Sequence, residues 1–272
     1  MAEQVEPSSK GPQQVKSLSR GTQILRILAD RPMRPSDLSR ELGTPWATIY
    51  RTVRGLTDEG MLKRDPDTGE YSIGSTLWAL ATTYIRDHAV LGVGLGLLEQ
   101  LLPKIKGLLK VTERCGNEAI TLFAEQNPQV PPVRRIREQY RMPLHAVSFG
   151  QVLLAYEDPD FIRSYLQQPL RRVTQRTITA PEALNELLTT IRKRGYAISR
   201  AELQNDNGSI AVPVFRKDGT VAAALSAVLP LHLIDDDEVC TEQRKLLEAT
   251  AVSISESLGW RPYREHLYDT GS

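Results

Sequence analysis

Apolar residues near the start of the chain recur at helical spacing, and glycine or proline interrupts them wherever one run gives way to the next. Leu18, Ile24, Leu25, Ile27 and Leu28 predict a helix over Ser17–Asp30 with a core-facing side. Leu38 and Leu42 lie four apart in a second, shorter helix over Ser36–Leu42. Gly43-Thr44-Pro45 then reads as a stop and restart: Gly43 permits the turn, Thr44 offers an N-cap oxygen and Pro45 suits a first helical position. The third helix, Pro45–Thr57, has Ile49, Val53 and Leu56 as its inward stripe. Two short runs, Met61–Arg64 and Glu70–Ile73, flank Asp65-Pro66-Asp67-Thr68-Gly69 and predict a hairpin. Helix, helix, sharp turn, helix and hairpin together describe a winged helix-turn-helix.

Beyond Gly74 the pattern stays helical for one more stretch. Leu77, Leu80, Ala81 and Tyr84 predict a linking helix over Ser75–Asp87, whose apolar stripe suits either a second copy or packing within the chain. Val90–Lys110 reads as a further apolar helix interrupted at Pro103. After it the period shortens. Strands are expected at Lys110–Arg114, Glu118–Ala124, Val133–Glu138, Ala197–Ser199, Ser209–Phe215 and Val221–Leu229. Helices are expected at Ser148–Glu157, Pro159–Gln168, Pro181–Arg194 and Asp235–Leu258, with a loop at Asn127–Pro132. The body is therefore an antiparallel sheet with helices packed on it, an α+β sensor-like class with room for a ligand against one sheet face.

Length and composition narrow the class. At 272 residues the chain exceeds one typical domain, and 40% hydrophobic with 25% charged residues is ordinary for a soluble protein. No apolar run is long enough to cross a membrane, and the polar, Pro-bearing opening reads as a tail, so a cytoplasmic location without membrane contact is expected. Cys115 and Cys240 stand far apart with no Cys or His cluster beside them, which supports neither a structural zinc nor a disulfide framework. The net charge is only +1, yet Lys16–Arg64 holds ten basic and five acidic residues, concentrating positive charge at the head.

That charge gives the third helix a reading. Opposite its inward stripe lie Trp46, Tyr50 and Arg54, with Ala47 and Arg51 beside them and Thr48 near the start. Arg51 and Arg54 can offer paired donors to guanine or grip a phosphate, and Tyr50 and Thr48 can donate to phosphate or touch a thymine methyl. Lys63 and Arg64 on the wing are placed to meet the backbone beside the groove. Such a helix suits the major groove of double-stranded DNA.

Other candidate groups are weaker. Ser148-Phe149-Gly150-Gln151 has the spacing of a capping box and would present free backbone N–H groups to a carboxylate. His145 beside Leu144 and Ala146 reads as a hydrogen-bonded core or rim histidine. Asp235-Asp236-Asp237-Glu238 reads as helix-starting negative charge that complements the dipole, not as a metal site. No nucleophile, metalloprotease or phosphate-loop motif is present, and neither a cofactor nor a catalytic residue is assigned.

Several motifs in order resemble one family. SLSRGTQILRIL, DLSRELGTPWATIYRTVRGLTDEGML, PLHAVSFGQVLLA, TQRTITAPEALNELLTTIRKRGYAIS, SIAVPVF and ALSAVLP are similar to the IclR family of bacterial transcription regulators, over about Ser17 to Leu258. The resemblance implies a dimer, or a dimer of dimers, of subunits with a DNA-binding head and a GAF-like body. In the body a small effector would alter operator occupancy or recruitment of RNA polymerase. It also implies effector contacts at Ser148, Phe149, Gly150, Ser199, Ser209, Ser226 and Val228, positions that in the family take small organic acids. Two departures stand out: Gln151 replaces the lysine usual after the signature glycine, and the loop 199–208 keeps Glu202 as its acidic residue while Ser199, Arg200 and Asp206 differ.

The expected organisation is a disordered tail at 1–16, the winged head at 17–74, a linker helix at 75–89, a GAF-like effector-binding domain at 90–260 and a C-terminal tail at 261–272. The expected function is sequence-specific DNA binding modulated by a small organic or aromatic acid. An enzyme carrying a regulatory head, and a regulator whose body binds only protein, are the alternatives.

Overall fold

The computed structural model describes residues 16–132 and 141–261, which form two compact units that meet in sequence between Arg86 and Asp87. In the first unit, α1 (Lys16–Asp30), α2 (Pro35–Glu41) and α3 (Trp46–Asp58) enclose a small core of Ile24, Leu28, Leu38, Ile49 and Val53, closed by Leu62 and Tyr71. The hairpin β1 (Leu62–Arg64) and β2 (Tyr71–Ile73) forms the wing, paired Leu62 to Ile73 and Arg64 to Tyr71. Gly43, at φ +58°, occupies the left-handed conformation that ends α2. The start of α3 differs from the sequence expectation. Pro45 is itself the N-cap in extended geometry and the helix begins at Trp46, while the Thr44 hydroxyl bonds to the Leu42 carbonyl and caps nothing. α4 (Ser75–Asp87) follows the wing, and none of its residues is buried.

The second unit is built on one six-stranded antiparallel sheet. Its strands are β3 (Leu108–Cys115), β4 (Glu118–Gln126), β5 (Arg141–Pro143), β6 (Ala197–Arg200), β7 (Asn207–Phe215) and β8 (Val221–Pro230), in the order β5-β4-β3-β8-β7-β6. The segment expected as a strand at Val133–Glu138 lies outside the described residues. The apolar run from Val90 does not continue as one helix to Lys110: α5 (Ala89–Leu101) gives way to a 3-10 turn at Leu102–Lys104, where Pro103 removes a donor, and the backbone is extended again by Leu108.

Alternation along the strands divides the sheet into two dry faces. Leu109 and Val111, then Ile210, Val212 and Val214, then Ala223, Leu225, Ala227 and Leu229 pack with α5 and α10 (Asp237–Ser257). The intervening positions face α6 (Ser148–Ala155) and, behind it, α7 (Pro159–Leu166) and α8 (Pro181–Arg194); Ala211 and Ala224 join that second core with Phe149, Val152 and Leu184. Both faces are thus covered over the middle of β3, β7 and β8, so polar residues there are taken out of water. Pro213 is tolerated within β7 because pairing on the β6 side ends at Ala211. The short α9 (Leu231–Ile234) leads into α10, where Asp236 caps the N-terminus by accepting from the amides of Glu238 and Val239.

Candidate nucleic-acid interface and effector site

α3 is anchored by Ile49 and Val53, both fully buried. Its other side stands in solvent. Trp46 is 53% and Tyr50 40% exposed, their rings stacked with centroids 4.9 Å apart. Ala47, Arg51 and Arg54 are exposed and Thr48 is half-buried. Two exposed aromatic rings and two guanidinium groups on one helical side create a surface with flat apolar area and charged donors, the combination that base edges and phosphates accept. On the wing, Lys63 and Arg64 are exposed on β1. The turn that follows is held by the Asp65 carboxylate, which accepts from the amides of Asp67 and Thr68; those bonds hold its pKa below the usual carboxylate range.

In the body, the sheet face under α6 carries an unusual number of polar side chains. Register sets them in two rows across the strands. Ser199, Ser209 and Val228 are paired in sequence across β6, β7 and β8, and Ala211, Ser226 and Lys110 across β7, β8 and β3. Residues paired directly across strands share a face, so four of the seven expected effector positions and Lys110 belong to one surface, and the other three lie on α6. Ser148 at the start of α6 donates its hydroxyl hydrogen bond to Ser209 Oγ at 2.7 Å, tying helix to sheet. Phe149 is buried beside it. Gly150 lets α6 sit against the preceding turn: a Cβ there would lie 2.4 Å from the Leu144 carbonyl oxygen.

The capping box expected at Ser148 and Gln151 does not form. Val147 is the N-cap, Ser148 is already helical, and the first ladder bond runs from the Gln151 amide to the Val147 carbonyl. Tertiary partners have taken both side chains. The Gln151 Nε2 donates to Glu202 Oε2 at 2.6 Å and to the His145 carbonyl at 3.0 Å, leaving its buried Oε1 without a partner among the described residues. Glu202 is buried with amide and hydroxyl donors around it, and that burial pushes its carboxyl up to about 7. His145 is a buried structural residue: Nε2 lies 3.0 Å from the Arg171 carbonyl and so carries the proton, while Nδ1 accepts from the Tyr165 hydroxyl at 2.8 Å. Burial lowers its pKa, keeping the ring neutral.

One group escaped the sequence reading: Lys110 looked like the first residue of an ordinary strand. Alternation with Leu109 and Val111 was the available signal that Lys110 faces away from the apolar side; that this opposite side is also covered is a tertiary fact.

Comparison with known proteins matches both units. Residues 17–66 match the IclR helix-turn-helix domain and residues 82–256 the IclR C-terminal domain of bacterial transcriptional regulators. The HTH-type transcriptional repressor AllR of Klebsiella pneumoniae is 31% identical over 95% of this chain and 95% of its own. The HTH-type transcriptional regulator KdgR of Escherichia coli is 27% identical over 93% of this chain and 97% of its own. Among solved structures, an IclR transcriptional regulator from Alicyclobacillus acidocaldarius is similar at a TM-score of 0.80 with 26% identity, covering 91% of this chain and all of that one. An IclR homologue from Microbacterium hydrocarbonoxydans, solved in complex with 4-hydroxybenzoate, is similar at a TM-score of 0.74 with 30% identity, covering 89% of this chain and 98% of that one.

Proposed function

The chain belongs to the IclR family of transcriptional regulators, and from that premise we propose that it is an effector-controlled switch reading a two-fold operator. One α3 helix spans only a few base pairs, so useful selectivity needs two heads at a fixed spacing. Tyr50, Arg51 and Arg54, with Trp46, Ala47 and Thr48, read sequence; Lys63 and Arg64 hold the neighbouring backbone. The pairing surface that supplies the second head is α4, where Leu80 and Tyr84, four apart on one side of the helix, are 58% and 52% exposed, an apolar stripe that a lone helix would leave in water. A dimer, or a dimer of such dimers, follows, acting on DNA in the cytoplasm.

The effector is a small organic or aromatic acid held between α6 and the serine-bearing sheet face, in contact with Ser148, Phe149, Gly150, Ser199, Ser209, Ser226 and Val228. The 4-hydroxybenzoate complex of the Microbacterium homologue supports that class of ligand. Such a ligand acts through unequal affinity for two arrangements of the heads, changing operator occupancy or the recruitment of RNA polymerase.

The observation that carries the DNA reading is the outward Trp46–Tyr50–Arg51–Arg54 side of a helix locked by Ile49 and Val53. Selection of bound duplexes from a random library tests it: enrichment of a motif with two-fold symmetry is expected, and recovery of unenriched DNA would refute it.

A further inference from the structure

Lys110 lies on the middle of the sheet, 7% exposed, with its Nζ 4.5 Å from the centroid of the Phe149 ring and 4.0 Å from the Met142 sulfur. Among the described residues it has neither an ion-pair partner nor an oxygen acceptor. An ammonium group removed from water without a counter-charge is among the costliest placements in a protein. An aromatic face offsets only part of that cost. Directly across the β3–β8 pairing stands Ser226, whose fully buried hydroxyl also lacks a partner among the described residues. An ammonium whose acceptor is a thioether sulfur and a hydroxyl without a partner among the described residues therefore sit side by side on the face that carries Ser209 and Val228 and abuts the start of α6. The neighbouring positions in this register, Ala211 and Ala224, are small.

We propose that Lys110 is the charge partner of the effector's carboxylate, with Ser226 donating to its second oxygen and Phe149 lying against its body. This rests on the effector reading above and deepens it by naming the residue that selects the acid over a neutral lactone, ester or amide, any of which would leave the ammonium unpaired. Carboxylate against ammonium is a charge-assisted contact in a dry site, where it is far stronger than on a surface. Phe149 then has a second use: in the free protein its ring holds the ammonium, and in the bound one it lines the ligand.

The test is calorimetric titration of the full-length protein at neutral pH with acetate through hexanoate, pyruvate, benzoate and 4-hydroxybenzoate, each against its primary amide. Wild type is expected to bind at least one acid roughly 30-fold or more tightly than the matching amide. Lys110→Met should erase that preference, Lys110→Arg should retain part of it, and Ser226→Ala should weaken the acid several-fold. Equal affinity for acid and amide in wild type, or an acid preference unchanged in Lys110→Met, would overturn the assignment of Lys110 and leave the effector reading standing. So would a Lys110→Met protein that loses acid and amide alike, which marks a packing role. If neither acids nor amides bind wild type, both readings fall together.

Discussion

Replacing Glu202 by glutamine should make the body more stable at pH 8 and change it much less at pH 5. The carboxyl has an ordinary value of 4.5 and is pushed up to about 7 in the folded protein, chiefly by burial. Folding therefore favours its protonated form. Below the unfolded value both states carry the proton; between 4.5 and 7 only the folded state does, so stability falls as pH rises through that window and stays low above it. At about 1.4 kcal/mol per pH unit, the difference amounts to about 3 kcal/mol. Glutamine keeps an oxygen that can accept from Gln151 Nε2, so most of the 2.6 Å contact should survive. Lysine at position 151 should instead supply the missing counter-charge and flatten the same slope. Urea unfolding followed through Trp260, which stacks on Phe215 in the body, reads the effect once Trp46 and Trp78 are changed to phenylalanine. Protein concentration is held constant, because an oligomer's stability depends on it. A variant whose gain over wild type is the same at pH 5 and pH 8 would refute the reasoning.

Three further outcomes are expected. Gly150→Ala drives a methyl group into the Leu144 backbone and should cost the body about 2 kcal/mol or more, read as a lowered melting temperature with little change in the head. Lys63→Ala and Arg64→Ala should each reduce the slope of log affinity against log salt by about 1 while preserving the ranking of DNA sequences, measured by fluorescence anisotropy at several salt concentrations. Paired substitution of Leu80 and Tyr84 by glutamate should place charge in the α4 stripe and shift the protein to monomers in sedimentation, with loss of tight operator binding.

The head was nearly transparent in the sequence because each local choice agreed: Ile49 and Val53 repeat on one side, the aromatic and arginine row on the other, and Gly43 stands where a left-handed residue is needed. Cap chemistry was less legible. Thr44 has an N-cap's identity, but the following proline is held in extended geometry and takes the position itself. Ser148 and Gln151 have capping-box spacing, yet a hydroxyl on β7 and a carboxylate beyond β6 compete for them successfully. Local motifs state what a side chain can do within one turn, whereas these side chains are claimed from 61 and 51 residues away. Strand alternation was readable through Leu109, Val111 and the β8 run, which located the sheet. Lys110 was not readable as buried, because a lysine between two apolar residues is the ordinary signature of a strand with one wet face, and this strand has none.

The central claim is that α3 reads bases with its exposed side. Its most direct measurement compares wild type and Arg51→Ala on the selected operator and on a scrambled duplex of equal length, at one fixed salt concentration. Wild type should prefer the operator by at least about 1,000-fold, and the variant should lose most of that preference while its melting temperature and its affinity for the scrambled duplex change little. Undiminished preference in Arg51→Ala, or wild-type indifference between the two duplexes, would contradict the account.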